Sequence, residues 1–170
     1  MTYVIWLLRI IHIVGGVFWV GGSLMMTFFI GPTLGATAEA GQKFAGHLMN
    51  NLKFSNRMST AAGLTVLAGF ILYWIDSQGF SSAWMKSGAG RGFGIGALFA
   101  IIGMVYGILV GRTTKTMADL GAKIQGKPSP EQMAQMQAIR KQQGSYSTIS
   151  TVALLLAVTF MAVARYVGIG

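Results

Sequence analysis

The sequence predicts an all-α integral membrane protein, a four-helix bundle forming a single domain over residues 1–170. Three observations predict it. Hydrophobic residues make up 53% of the chain and charged residues only 10%, where a soluble domain carries about 25% charged residues. Four apolar runs each reach roughly 20 residues, the length a helix needs to cross a hydrocarbon layer about 30 Å thick. The runs lack the two-residue alternation of a membrane β-barrel, and a helix satisfies its backbone groups internally, as a bilayer requires.

The first run extends from Tyr3 to Ile30 and is expected to end at Gly31-Pro32. It has no basic stretch ahead of it and outlasts a signal-peptide core, so it reads as a retained helix. In the connection from Thr37 to Arg57, Phe44, Leu48 and Leu52 recur at steps of four. That spacing predicts an amphipathic segment before helix two, lying at the interface or extending that helix into water. The second run covers Met58 to Ile75 and closes at Asp76. The following loop, SQGFSSAWMKSGAG, brings Phe80 and Trp84 to the lipid boundary, with Tyr73, Trp74 and Tyr166 in the same aromatic belt. The third run, Gly92 to Gly111, carries Gly92 and Gly96, then Gly103, Gly107 and Gly111, at four-residue steps. Small residues so spaced let membrane helices approach closely. GKPSP then breaks the chain. PEQMAQMQAIRKQQG reads as a polar helix before helix four, with Pro130 and Glu131 at its start and Arg140 and Lys141 at its end. The fourth run is Thr148 to Val167.

The net charge of +9 is unevenly placed. Lys43, Lys53, Arg57, Arg112, Lys115, Lys123, Lys127, Arg140 and Lys141 fall in the first and third connections, and only Lys86 and Arg91 in the second. The positive-inside rule puts the first and third connections in the cytoplasm and both termini outside. Basic loops between apolar spans face an anionic lipid surface. No basic stretch is interleaved with aromatics as a nucleic-acid platform is, so no nucleic-acid partner is expected. The chain has no cysteine, which excludes disulfides, thiolate metal sites and thiol chemistry.

The candidate chemistry lies in LRIIHIVGGVFWVGG. On a helix, Arg9, Gly16, Trp19, Ser23 and Met26 fall on the face of His12. Intramembrane ionisable groups rarely face lipid, so this face should look into the bundle. Gly16, one turn from His12, leaves room for a flat or bulky group beside the ring. Imidazole ligates metals and haem iron. The plainer reading is a hydrogen bond to a neighbouring helix, with Arg9 reaching the outer headgroups. His47, the other histidine, belongs to the opposite end of helix one, roughly 27 Å from His12 in level. It reads as interfacial or solvated. Met104 and Met161 approach the depth of His12, so a His/Met haem with Met104 as second metal ligand is one arrangement. A five-coordinate haem and a pair of His12 residues across a dimer are others. Arg9 and Arg165 near the outer level could meet haem propionates or pair with Asp76.

The pattern His-x6-Trp-Val-Gly-Gly, here His12, Trp19, Val20, Gly21 and Gly22, resembles the first helix of the CopD/HemJ-like group of small bacterial membrane proteins. The order of four helices and the basic, partly helical segment before helix two agree with it. The resemblance implies the bacterial inner membrane. For the HemJ-like branch it implies haem b and oxidation of protoporphyrinogen, and for the CopD-like branch copper uptake or export. His12 maps to the family's first-helix histidine, the haem ligand. The leading expectation is therefore a HemJ-like haem-b membrane protein with a redox role, the cofactor held by His12, Arg9, Gly16, Trp19 and Arg165. Whether it is an enzyme stays open. The alternatives are a non-enzymatic accessory or assembly subunit of a larger membrane complex, and a copper or solute permease. Helices two to four carry no histidine and few intramembrane polar groups, which ranks the permease last. The expected partners are the lipid bilayer and, in a homo-oligomer or larger complex, other membrane chains.

Overall fold

A computed structural model of the chain describes residues 2–124 and 126–167, the side chain of Ala38 excepted. Its elements are α1 (Thr2–Met25), a π turn (Met26–Ile30), α2 (Gly31–Ala36), α3 (Ala38–Gly46) and a second π turn (His47–Asn51). They continue with α4 (Phe54–Asp76), α5 (Ser82–Lys86), α6 (Gly88–Ala122), α7 (Pro130–Val163) and a closing 3-10 turn (Ala164–Tyr166). Four helical stretches are long and apolar enough to cross a membrane: Thr2–Ala36, Phe54–Asp76, Gly88–Ala122 and Pro130–Tyr166.

Gly31-Pro32 does not end the first helix, as the sequence suggested. Proline lacks an N–H, and its ring crowds the carbonyl four residues back. The π turn over Met26–Ile30 absorbs this by adding a residue to the turn. The Gly31 N–H donates to the Met26 carbonyl, five residues back. A Cβ at Gly31 would lie 2.7 Å from that oxygen, so only glycine fits there. The helix then runs on to Ala36.

The polar helix and the fourth span also merge. Ser129 caps α7: its hydroxyl accepts from Gln132 N at 3.2 Å, and the Gln132 side chain accepts from Ser129 N at 2.9 Å. Pro130 and Glu131 stand at the start as expected. Arg140 and Lys141 do not mark an end, because α7 continues unbroken to Val163. Gly144 is the one breaker on the way, and a single glycine costs only about 1 kcal/mol in a helix. In the first connection the amphipathic segment is α3, and Lys53 in a left-handed conformation (φ 49°) separates it from α4.

The helices pair as two antiparallel hairpins. In one, α1 lies on α4, with Gly22 against Met58 and Gly15 against Thr65. In the other, α6 lies on α7, with Gly92 against Ala164, Gly96 against Met161 and Gly103 against Leu154. Gly103 therefore packs as expected; a Cβ at Gly107 would still meet Ser150 Oγ of α7 at 3.8 Å, and one at Gly111 would meet nothing within 4 Å. The reason is rotation: each four-residue step turns the face by about 40°, so Gly111 has swung roughly 80° from Gly103. The hairpins meet at Trp19, Ala62 and Leu154, with Val20, Met58, Ala61, Val66 and Met104 around them. Two hydroxyl bonds reinforce the packing. Ser150 donates to the Gly103 carbonyl at 2.8 Å, and Thr27 in the π turn bonds Thr151 at 2.8 Å.

Phe80 and Trp84 follow α4 in the chain. They close on the end of α4, with Trp74–Phe80 ring centroids 4.8 Å apart and Tyr73–Trp84 5.1 Å apart. The Tyr73 hydroxyl donates to the Gly90 carbonyl at 3.3 Å. The accessible surface is 11082 Å², where a compact soluble chain of this mass exposes roughly 8,100 Å². The excess is largely apolar side chains on the outer helix faces, such as Ile10, Val14 and Val17 of α1 and Ile101, Val105 and Ile108 of α6. A lipid bilayer covers surface of this kind.

Candidate functional site

The face of α1 that carries His12 packs on α4. His12 is half-buried and Trp19 is buried. The ring Nδ1 lies 2.8 Å from the backbone carbonyl oxygen of Thr65. A carbonyl only accepts, so Nδ1 carries the proton and donates it. In a neutral imidazole, Nε2 then holds the lone pair.

Three small residues make this bond geometrically feasible. A Cβ at Gly69 would sit 2.7 Å from His12 Cε1 and 2.8 Å from Nδ1, so the ring lies directly on the α4 backbone there. A Cβ at Gly15 would sit 2.6 Å from Thr65 Oγ1. At Gly16 the methyl of Thr65 is 3.6 Å from the Cβ position. Thr65 thus fills the space beside Gly16 that was expected to receive a flat group. The Thr65 hydroxyl is buried and has no hydrogen-bond partner among the described residues. Threonine normally returns its hydroxyl to the carbonyl four residues back, whereas here it turns toward Gly15.

The other expected site residues do not gather around the ring. Arg9 is exposed, one turn from His12. Arg165 lies in the closing 3-10 turn, also exposed. Neither pairs with Asp76: the ion pair among the described residues is Lys43–Glu39 at 2.8 Å, between two solvent-exposed side chains. Met104 packs into the Trp19 cluster, seven residues along α1 from His12 or about 10 Å. Met161 is taken up by Gly96. His47 is exposed, as the sequence suggested.

Sequence reasoning missed Gly15, Thr65 and Gly69. The usable signal was Ala61, Thr65 and Gly69 at four-residue steps in AAGLTVLAGF, a small-residue face matching the bulky ring on α1. Among the described residues no three His, Cys, Asp or Glu side chains converge. A metal ion held by three such side chains of one chain has no site among the described residues.

As a test of fit, an imidazole whose Nδ1–H is held by a backbone carbonyl is the arrangement that orients metal-ligating histidines. His12 would hold haem iron through Nε2 if the group were bound. Gly16 and Met104 do not fit as cradle and second ligand in the same chain. Compared with known protein families, curated proteins and solved structures, the chain matches none.

Proposed function

We propose that this chain is a multi-pass protein of the bacterial inner membrane that binds haem b through His12 Nε2 and serves a redox role of the HemJ-like kind. The observation that carries the reading is the Nδ1–H···O=C bond to Thr65. It fixes the ring and its tautomer and leaves one nitrogen with a lone pair. Thr65 supplies the holding carbonyl and Gly69 the clearance. Haem b supplies one-electron transfer when bound. Exposed Arg9 and Arg165 are the cations available to propionates at that end of the bundle. One chain would supply His12 as the ligand, and a second copy could supply another. The nine basic residues on the first and third connections support placing those connections in the cytoplasm.

The test is the absorption spectrum of detergent-purified protein after haem-replete expression. The wild type should show a Soret band that shifts on reduction. His12→Ala should lose it while staying helical and monodisperse, and His47→Ala should keep it. A normal Soret band in His12→Ala overturns the proposal.

A second reading has its own observation. With the Thr65 methyl beside Gly16, the His12 bond also works as a clamp between α1 and α4. In that case the protein is a non-enzymatic subunit of a larger membrane complex. A haem-free wild type whose His12→Ala variant melts markedly earlier favours the clamp.

A further inference from the structure

The π turn over Met26–Ile30 costs the Thr27 carbonyl its donor. In an α-helix that carbonyl accepts from the N–H of Gly31, four residues on, and in the π register from residue 32. The Gly31 N–H is committed to the Met26 carbonyl. Residue 32 is proline, which has no N–H. Backbone carbonyls withdrawn from solvent are nearly always paired, with protein or with ordered water.

The Thr27 side chain adds a second imbalance. Thr33, Thr114 and Thr159 return their hydroxyls to the carbonyl four residues back. Thr27 and Thr151 face each other instead, at 2.8 Å. Two hydroxyls so paired use one hydrogen between them, and the other hydrogen is free to donate. Thr27 is half-buried and Thr151 only 1% exposed. An acceptor without a donor and a donor without an acceptor therefore share one joint. Among the described residues the side-chain hydrogen bonds between the two hairpins are this one and Tyr73 to Gly90.

We propose that this joint holds one water molecule, which donates to the Thr27 carbonyl and accepts from the Thr27–Thr151 hydroxyl pair. Two polar partners suffice to hold a buried water, and a bridging water is enthalpically close to a direct bond. A cation is the poorer occupant. A separation of 2.8 Å puts a proton between the two oxygens, and residues 26–36 and 132–163 contain no acid to offset a cation's charge. Thr27 lies about 38 Å along the helix from Thr2, past a hydrocarbon core of about 30 Å, so water is at hand on the side of the first connection. The water completes the helix where Pro32 withdraws its donor and helps fasten α1 to α7. The inference is independent of haem. It rests on the membrane reading for the source of the water and for the dry reference in its test.

Labelling threonine with carbonyl carbon-13 and phenylalanine with nitrogen-15 selects Thr-Phe bonds, of which the chain has two, Thr27-Phe28 and Thr159-Phe160. Thr159 lies within unbroken α7 on an outer face and serves as the dry reference. Water-edited solid-state NMR of the full chain in phospholipid bilayers reads the magnetisation passing from water protons to each carbonyl. Thr159→Ser assigns the two signals by removing one. Thr27 should receive magnetisation several-fold faster than Thr159. Thr151→Val keeps the shape and removes a hydroxyl, and should slow Thr27 to the Thr159 rate, while Thr151→Ser should keep it fast. Pro32→Ala gives the Thr27 carbonyl an N–H donor in either register and should slow it too. If one of these variants does not fold, the other decides. Rapid transfer to Thr159 would sink the membrane reading rather than the site. No transfer to Thr27 in the wild type, or transfer undiminished in folded Thr151→Val or Pro32→Ala, overturns the proposal.

Discussion

At His12, one hydrogen bond decides what the residue can do. Its Nδ1–H is committed to the Thr65 carbonyl, so any ligand chemistry belongs to Nε2. The bond depends on glycine at 69. Gly69→Ala puts a methyl 2.7 Å from Cε1, a distance that carbon contacts do not tolerate. The ring must tilt and the Nδ1 bond lengthen. We expect Gly69→Ala to lower thermal stability by about 1–3 kcal/mol and to weaken haem retention, read from the Soret absorbance. Gly15→Ala pushes on Thr65 Oγ1 instead. It should destabilise the α1–α4 hairpin by a similar amount, visible as earlier loss of helical ellipticity on heating. The sequence made His12 and Trp19 legible, because an ionisable group and a large aromatic on one helix face point inward. It hid the bond to Thr65, because a backbone acceptor leaves no mark in a sequence, and left only the four-residue spacing of Ala61, Thr65 and Gly69 as a trace of the face that receives the ring.

Among the elements, α6 and α7 show how far spacing alone can be read. The glycine series on α6 was visible in the sequence, and Gly92, Gly96 and Gly103 do meet α7. The strict four-residue step overextended it, since the contact face of two long helices keeps nearer to 3.5 residues per turn. Gly103→Leu should therefore lower the melting temperature sharply, as Leu154 already lies 2.7 Å from the Cβ position, while Gly111→Leu should leave it unchanged. Comparable losses in the two variants would contradict this packing. The boundaries of α7 were only half legible. Pro130 and Glu131 mark its start in the sequence, and the Ser129–Gln132 capping box secures it, whereas nothing in QQGSYSTIS stops it, so the polar and apolar halves fuse. Ser129→Ala should cost about 1 kcal/mol, measured as fraying of the first turn by hydrogen exchange.

At the scale of the whole molecule, two hairpins share one small core and leave long apolar faces outside it. α6 is 35 residues long and so about 52 Å, and like α7 it is well longer than a hydrocarbon layer of about 30 Å; in the membrane reading the excess is a projection. The projection carries Arg112, Lys115, Lys123, Lys127, Arg140 and Lys141. We expect a cysteine at Lys127 to resist an impermeant thiol reagent in intact cells and to react once the membrane is opened. The wild type has no cysteine to confuse the reading. Labelling from outside would invert the topology. Four helices long and apolar enough to cross a membrane were evident from composition and run length. The pairing into hairpins was not, since it depends on which small residue faces which large one across helices far apart in sequence.

His12 is held through Nδ1, and the proposed function gives its Nε2 to haem iron. Nitrogen-15 NMR of side-chain-labelled histidine, on the detergent-purified chain before and after haem addition, tests it most directly. In the haem-free protein His12 should show a protonated Nδ1 and a bare Nε2. Haem should perturb the Nε2 resonance of His12 and leave His47 unmoved. A His12 protonated on Nε2 alone, or an Nε2 resonance indifferent to haem, would contradict it.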